Sequence, residues 1–266
     1  MCNMTVRDVT KALAPLLQEL ELEQPRVVTK VELESLATLA GVDWPVEVVI
    51  RRLREAGWLL DLKTRGVWEF APAARAGAFG SGDPFVELRA TLARDGGLPL
   101  AVAAESAAYL SGLVSRRPDR EVIGAPAGVR TPKALCDLRV AHWAPRTEVV
   151  VKDGLPVWSV TTLLAFMAAK PGGYRDWPNV GEWIVQAARL TTTEAIADEL
   201  SGHPRAAWAR AAYLLDRGAE PDAAADLMER APAGVGPFYL GRRAVSGRYD
   251  GCFDVVDSTG LEVRAE

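Results

Sequence analysis

The sequence predicts an α+β protein, with an N-terminal winged helix-turn-helix followed by a larger mixed α/β domain that has a helical end. Two observations lead to this fold class. The first eighty residues carry helix, helix, helix and hairpin signals in that order, and the rest alternates short strand-like segments with helices before a run of helices. The length of 266 residues favours two domains. We place them at 1–80 and 81–266, with an Ala- and Gly-rich linker over Ala71–Gly82.

The overall charge gives no general attraction to nucleic acid or to an anionic membrane. The net charge is −4, and the hydrophobic content of 49% is ordinary for a soluble globular chain. Positive charge is instead local, because residues 111–147 contain seven basic and three acidic side chains. Any DNA-binding surface must therefore be a local patch.

Helix signals are clear at the N-terminus. Apolar residues recur at three- and four-residue steps over Arg7–Leu20, which predicts the first helix. A second helix opens at Thr29, because Thr29 and Glu32 match a capping box. Gly41 suits the left-handed residue that ends this helix. Pro45 occupies the first turn of a third helix, where a missing N–H costs little.

A hairpin completes the N-terminal pattern. Trp58–Leu62 and Val67–Phe70 are predicted strands, and Lys63–Gly66 forms the turn between them. This layout is typical of a winged helix-turn-helix, in which the second helix braces the third against the major groove of DNA. A winged helix used only for protein contact is the alternative.

The third helix would be the recognition helix, and the hairpin would be the wing. Arginine suits guanine because its fork matches two acceptors, and basic wing residues reach adjacent phosphates. Acidic Asp43, Glu47 and Glu55 near this helix predict modest non-specific affinity. The candidate DNA-contacting residues are Arg51, Arg52 and Arg54 on the helix and Lys63 and Arg65 on the wing.

The remaining chain has weaker but regular signals. The apolar run Leu155–Ala169 is too short to span a bilayer and predicts a buried strand followed by a core helix. Asp153-Gly154 is a candidate hairpin turn. Other expected elements are a helix from Asp83, strands at 98–103, 121–124, 138–144 and 148–152, a helix from Ser106, helices at 180–189, 192–201, 204–217 and 221–230, and a final hairpin formed by 238–240 and 248–256.

No motif predicts catalysis, a metal site or a cofactor. The three cysteines, Cys2, Cys136 and Cys252, have neither metal-ligand nor disulfide spacing, which fits a reducing cytoplasm. The start of the chain has no signal-peptide pattern. His142 is expected to be a packing residue in a strand, and His203 a loop or cap residue. We therefore expect a cytoplasmic protein that is not an enzyme.

The winged helix and three segments that follow it together resemble the AbiEi antitoxin family. The three segments are Ser106–Val114, Leu155–Leu164 and the Pro171–Tyr174 turn, and the resemblance extends over about 7–230. It implies an antitoxin of a type IV, AbiE-like toxin–antitoxin system, acting in abortive infection and phage defence. The N-terminal domain would repress its own operon by binding inverted repeats in the promoter. The C-terminal domain would counter a nucleotidyltransferase-like toxin, by direct or indirect contact.

The resemblance also assigns residues by position. The recognition-helix and wing residues inherit the contact with double-stranded DNA, and a second basic group would add phosphate contacts. The alternative for that second group is a solvated basic loop. Its members are Arg116, Arg117, Arg120, Arg130 and Lys133.

Two other functions compete with this one. A one-component regulator would sense a small ligand through the C-terminal domain. The pocket for this ligand could be lined by five tryptophans that are otherwise expected in the core: Trp143, Trp158, Trp177, Trp183 and Trp208.

The other competing function is a catalytic C-terminal domain marked by Asp250 and Asp254. Together with Asp257, however, these residues are more typical of a solvated edge.

Overall fold

The protein has a mixed α+β fold, as the sequence predicts. A computed structural model describes residues 11–74, 80–243 and 245–263. The elements, in chain order, are α1 (Ala14–Glu23), β1 (Val27–Thr29), α2 (Lys30–Leu39), α3 (Val46–Glu55), β2 (Leu59–Asp61), β3 (Val67–Phe70), α4 (Val86–Arg94), β4 (Ala101–Val102), α5 (Ala104–Leu110), β5 (Val122–Ala125), β6 (Arg139–His142), β7 (Val150–Lys152), β8 (Leu155–Val157), α6 (Val160–Ala169), α7 (Ile184–Arg189), α8 (Thr193–Leu200), α9 (Arg205–Arg217), α10 (Pro221–Glu229), β9 (Phe238–Leu240), β10 (Arg248–Asp250) and β11 (Val255–Asp257).

The chain divides into two compact units. The N-terminal unit comprises Met1–Leu98 and Thr131–Asp137, and the C-terminal unit comprises Pro99–Arg130 and Leu138–Glu266. This division lies beyond the expected boundary near residue 80, because α4 packs on β1 and β3 and so belongs with the first unit.

The expected linker is partly core. Ala71 is fully buried, and its N–H donates to the carbonyl of Trp58 at 2.9 Å. The first residues of the Ala- and Gly-rich stretch therefore continue the packing of β3. Residues 75–79 of that stretch lie outside the described residues.

The N-terminal unit follows the predicted order of helices and strands. Its sheet has the strand order β1-β3-β2, with both pairs antiparallel. One hydrophobic core joins α1, α2 and α3 to this sheet, and its buried residues include Leu16, Leu33 and Leu53, with Phe70 from β3. The first helix begins at Ala14, after a 3₁₀ turn at 11–13, and the start predicted at Arg7 lies outside the described residues.

The capping box predicted at the start of α2 is confirmed. The backbone N–H of Glu32 donates to Thr29 Oγ1 at 3.2 Å, and the N–H of Thr29 donates to Glu32 Oε2 at 2.7 Å. Gly41 has the predicted left-handed backbone, with φ of 68°. These signals fix both ends of α2 and the tight turn into α3.

The C-terminal unit is built on a five-stranded sheet in the order β6-β5-β4-β8-β7. Asp153 and Gly154 form the predicted hairpin turn between β7 and β8, and both have positive φ. The apolar run Leu155–Ala169 forms β8 and α6, as predicted. Eight of the ten residues of α6 are buried, and α5, α8 and α9 contact this helix.

Three local predictions are wrong. The predicted strand 248–256 contains a turn that separates β10 from β11, so the hairpin lies within it and β9 pairs with β11 in parallel. The helix predicted at 180–189 starts at Ile184, because residues 177–182 form a 3₁₀ helix. His142 is exposed on edge strand β6, so the prediction that it packs is wrong. His203 lies in a loop, as predicted, and stacks on Trp143 with ring centroids 4.7 Å apart.

Helix length and polarity decide whether a helix can cross a membrane. In the described parts of the chain, no helix is both long enough and apolar enough to cross a bilayer. The most apolar helix is α6, with ten residues, whereas a membrane span needs about 20 residues.

We predict that Thr29→Ala destabilises the N-terminal unit by about 1 kcal/mol, because one N–H at the start of α2 loses its acceptor. Urea denaturation measures the change. Thr29→Ser is the matched control and should retain wild-type stability, since its hydroxyl accepts the same bond. Equal stability of all three proteins would contradict a stabilising role for the capping box.

Candidate functional site

The outer face of α3 carries the three predicted recognition-helix arginines. Val49 and Leu53 are buried, whereas Arg51, Arg52 and Arg54 are exposed. Among the described residues Arg51 has no ion-pair or hydrogen-bond partner. Arg52 contacts Glu55 at 3.5 Å, and both side chains are more than half exposed. Such an exposed pair is weak and exchanges readily with another anion.

Arg54 is placed differently from its two neighbours. Its guanidinium forms an ion pair with Asp61 on β2. This contact joins the C-terminal end of α3 to the hairpin. The arrangement leaves Arg51 and Arg52 as the more accessible cations of the helix.

An acidic residue near these arginines is neutralised locally. Glu47 Oε1 lies 2.6 Å from Lys30 Nζ, which links α3 to the start of α2. The hydrogen bond raises the pKa of Lys30 and lowers the pKa of Glu47. The carboxylate of Glu47 therefore repels an approaching anion less than an unpaired one would.

The hairpin tip is fastened to α4 by a single carboxylate. Glu87 accepts hydrogen bonds from the N–H of Lys63 at 2.6 Å, the N–H of Thr64 at 3.1 Å and the hydroxyl of Thr64 at 2.9 Å. Thr64 is 1% exposed, and its Oγ1 also lies 3.3 Å from Thr91 Oγ1. Hydrogen bonds to an ionised acceptor are stronger than neutral ones, so the tip has a fixed position on α4.

The two predicted wing cations have different surroundings. Lys63 forms an ion pair with Asp137, and this contact raises the pKa of Lys63. Arg65 is exposed and has no side-chain partner in the described ranges. Arg65 is therefore the more accessible cation of the wing.

The second predicted group of basic residues is divided between the two units. Arg116, Arg117 and Arg120 follow α5 and line a cleft of about 1000 Å³. Arg130 is exposed in the C-terminal unit, and Lys133 is exposed in the N-terminal unit. We name the cleft the arginine cleft, because Arg139 and Arg175 line it as well.

A buried ion pair forms part of the arginine cleft. Arg139 on β6 pairs with Glu105 on α5, and the Arg139 guanidinium also donates to the Gly173 carbonyl at 2.6 Å. Glu105 Oε1 accepts the N–H of Arg175 at 2.6 Å. Burial lowers the pKa of Arg139, and the Glu105 carboxylate opposes that shift.

Tyr174 lines the same cleft. Its side chain is 2% exposed, and its hydroxyl has no hydrogen-bond partner among the described residues. Burial is the main cause that raises the pKa of Tyr174, and the Glu105 carboxylate adds to it. The hydroxyl therefore keeps its proton and remains a donor.

Comparison with known proteins places the cleft inside a recognised domain. Residues 100–217, from β4 to the end of α9, match the family described as the AbiEi antitoxin C-terminal domain. This segment of the chain is similar to the AbiEi antitoxin C-terminal domain. The family resemblance predicted from the sequence is thereby confirmed, and it supports the role of an antitoxin in a toxin–antitoxin system.

A solved structure resembles nearly the whole chain. The RV2827C protein from Mycobacterium tuberculosis is 29% identical, with a TM-score of 0.79, and the similarity covers 96% of this chain and 94% of that one. No curated protein matches. The architecture outside the AbiEi domain is therefore shared with this solved structure too.

The residues proposed for a ligand pocket lie in the core, and the residues proposed for catalysis form contacts within the protein. The five tryptophans proposed for a pocket are all buried, and none lines the arginine cleft. Asp250 pairs with Arg217 at 3.4 Å, and Asp254 accepts a hydrogen bond from Tyr249 at 3.0 Å. The described residues contain no group of three or more side chains suited to a metal.

Sequence reasoning missed the inner residues of the cleft. Tyr174 appeared only as the end of a family-like turn, and Glu105 was not singled out. Arg139 lies in the strand predicted at 138–144, to which no functional role was given. A charged residue beside a run of small apolar ones was the available signal, because it requires a buried partner.

We predict that Glu87→Ala loosens the hairpin tip, because the amides of Lys63 and Thr64 lose their acceptor. Hydrogen–deuterium exchange should show faster exchange at these two amides. Glu23→Ala removes an exposed carboxylate from the same unit and serves as the control, with unchanged exchange. Slow exchange in the Glu87 variant would show that other contacts hold the tip.

Proposed function

We propose that this protein is an antitoxin that represses its own operon and counters a nucleotidyltransferase-like toxin. The N-terminal unit would act as a winged helix-turn-helix that binds inverted repeats in the promoter. The AbiEi domain supports the antitoxin role. The observation that carries the DNA-binding part is the exposed pair Arg51 and Arg52 on the outer face of α3.

The geometry of α2 and α3 suits a DNA-reading helix. The left-handed Gly41 ends α2 within a short turn, and α3 then presents its polar face outward. An exposed helix of this kind fits the major groove, and arginine forks match the two acceptors of guanine. The chain has a net charge of −4, so a local cluster must supply the attraction to phosphate.

The predicted contact residues have different roles in this proposal. Arg51 and Arg52 contact base edges or phosphates, and Arg65 contacts a flanking phosphate. Arg54 positions α3 against β2 through Asp61, and Lys63 helps hold the wing through Asp137. If Arg54 or Lys63 left its carboxylate partner and bound a phosphate oxygen, it would contact the DNA directly.

The remaining basic residues are not required for promoter binding in this proposal. Arg116, Arg117 and Arg120 surround a cleft of small-molecule size, which favours a ligand over a duplex. Arg130 and Lys133 are exposed and suit added phosphate contacts. The cleft also favours a second candidate function, that of a regulator that senses a small ligand.

We predict that Arg51→Ala/Arg52→Ala weakens binding to the chain's own upstream DNA by roughly 1–3 kcal/mol. The slope of log affinity against log salt should also decrease by about 1 for each phosphate that the variant no longer neutralises. Fluorescence anisotropy over a salt series measures both quantities.

The control for this double variant is Lys11→Ala/Arg94→Ala, which removes two exposed cations elsewhere in the N-terminal unit. It should bind the same DNA with nearly wild-type affinity. Equally weakened binding by both double variants would indicate a general charge effect. No binding by the wild-type protein at low salt would contradict promoter recognition and favour a protein-contact winged helix.

We further predict that Arg51→Ala/Arg52→Ala still restores growth to cells that express the neighbouring toxin, because neutralisation is assigned to the AbiEi domain. The measurement is colony formation with toxin and antitoxin under separate inducible promoters, so that loss of repression does not alter expression. Loss of rescue at an unchanged antitoxin level would show that neutralisation needs the DNA-binding surface.

A further inference from the structure

The arginine cleft has the size of a small-molecule site. Its volume of about 1000 Å³ lies at the upper end of the range for ligand pockets. It is lined by residues of three segments: α5 and the chain after it, β6, and the stretch from Tyr174 to Glu182. All three belong to the C-terminal unit, so the site does not depend on the N-terminal unit.

Some of the charged side chains around the cleft already have partners within the protein, and others do not. Five arginines and four carboxylates line it. Glu105 is occupied by Arg139 and by the N–H of Arg175, and Asp176 accepts the amide of Asn179 at 2.6 Å. Asp119 is 98% exposed, and its contact with Arg116 measures 3.7 Å. The guanidinium of Arg175 has no partner among the described residues and is exposed.

The hydroxyl of Tyr174 is the second, independent observation. Buried polar groups nearly always form hydrogen bonds, and this one lacks a partner in the described chain. Tyr174 is held in place by Trp177 and Trp183, whose ring centroids lie 5.7 Å and 6.3 Å from its own. Because burial keeps the hydroxyl protonated, it offers a fixed donor beside the arginines.

We propose that the arginine cleft binds a small molecule that carries a phosphate monoester. Guanidinium forks bind phosphate oxygens in pairs, and a dianion suits several arginines better than a single carboxylate does. The Tyr174 hydroxyl and the Arg175 guanidinium donate to the phosphate. Asp176 and Asn179 line the same cleft and accept from hydroxyls on the rest of the ligand. This inference goes beyond the antitoxin function and does not depend on DNA binding.

Isothermal titration calorimetry of the full chain tests the proposal with adenosine monophosphate, ribose 5-phosphate, inorganic phosphate and adenosine. We expect the two phosphate esters to bind and adenosine not to bind. Arg175→Ala should weaken the esters at least tenfold, and Tyr174→Phe should weaken them severalfold while the protein stays folded. Arg189→Ala removes an exposed arginine of the same unit and should leave binding unchanged.

Each other outcome overturns the proposal. No ester binding, or equal binding by the wild type and by the Arg175 and Tyr174 variants, would show that the cleft is not a phosphate site. Equal binding of inorganic phosphate and both esters would show that no organic ligand is recognised. Displacement of the esters by operator DNA would assign the arginines to a DNA surface. Arg51→Ala/Arg52→Ala should bind the esters as the wild type does. A failure of promoter binding can therefore be distinguished from a failure of ester binding.

Discussion

The ion pair between Glu105 and Arg139 links α5 to β6 at the arginine cleft. A buried carboxylate is unfavourable unless it is paired and hydrogen-bonded, and Glu105 is both. Its partners come from β6 and from the turn before α7, while Glu105 itself lies on α5. Glu105 therefore joins three segments that are far apart in the sequence and holds Arg139 and the backbone of Arg175 at the cleft.

Two other carboxylates also accept several hydrogen bonds from residues that are distant in the sequence. Glu199 is 1% exposed and accepts from the indole of Trp143 at 3.1 Å, from the N–H groups of Arg146 and Thr147 and from the hydroxyl of Thr162 at 2.8 Å. Glu87 has the same function at the hairpin tip. In each case the carboxylate orders a loop, since the loop's backbone N–H groups have no other acceptor in the described chain.

The basic residues of the proposed sites differ in whether a carboxylate already pairs with them. Arg54, Lys63 and Arg139 are paired with carboxylates, so they shape the surfaces more than they bind to anything outside. Arg51, Arg65 and Arg175 are exposed and have no partners among the described residues, so they are suited to contact an external anion. A count of basic residues does not distinguish these two groups.

Local sequence signals were enough to determine the α+β class, both ends of α2, the Asp153-Gly154 turn, the buried strand and helix at 155–169 and the AbiEi family. Each of these depends on residues close together in the chain or on a recognised local pattern. The folded chain was needed to establish which arginines are paired, how the wing is held and where the cleft lies. The deciding contacts join residues far apart, 24 positions for Lys63 with Glu87 and 34 for Arg139 with Glu105. The parallel pairing of β9 with β11 was missed for the same reason, because a strand's partner is set by packing across the fold.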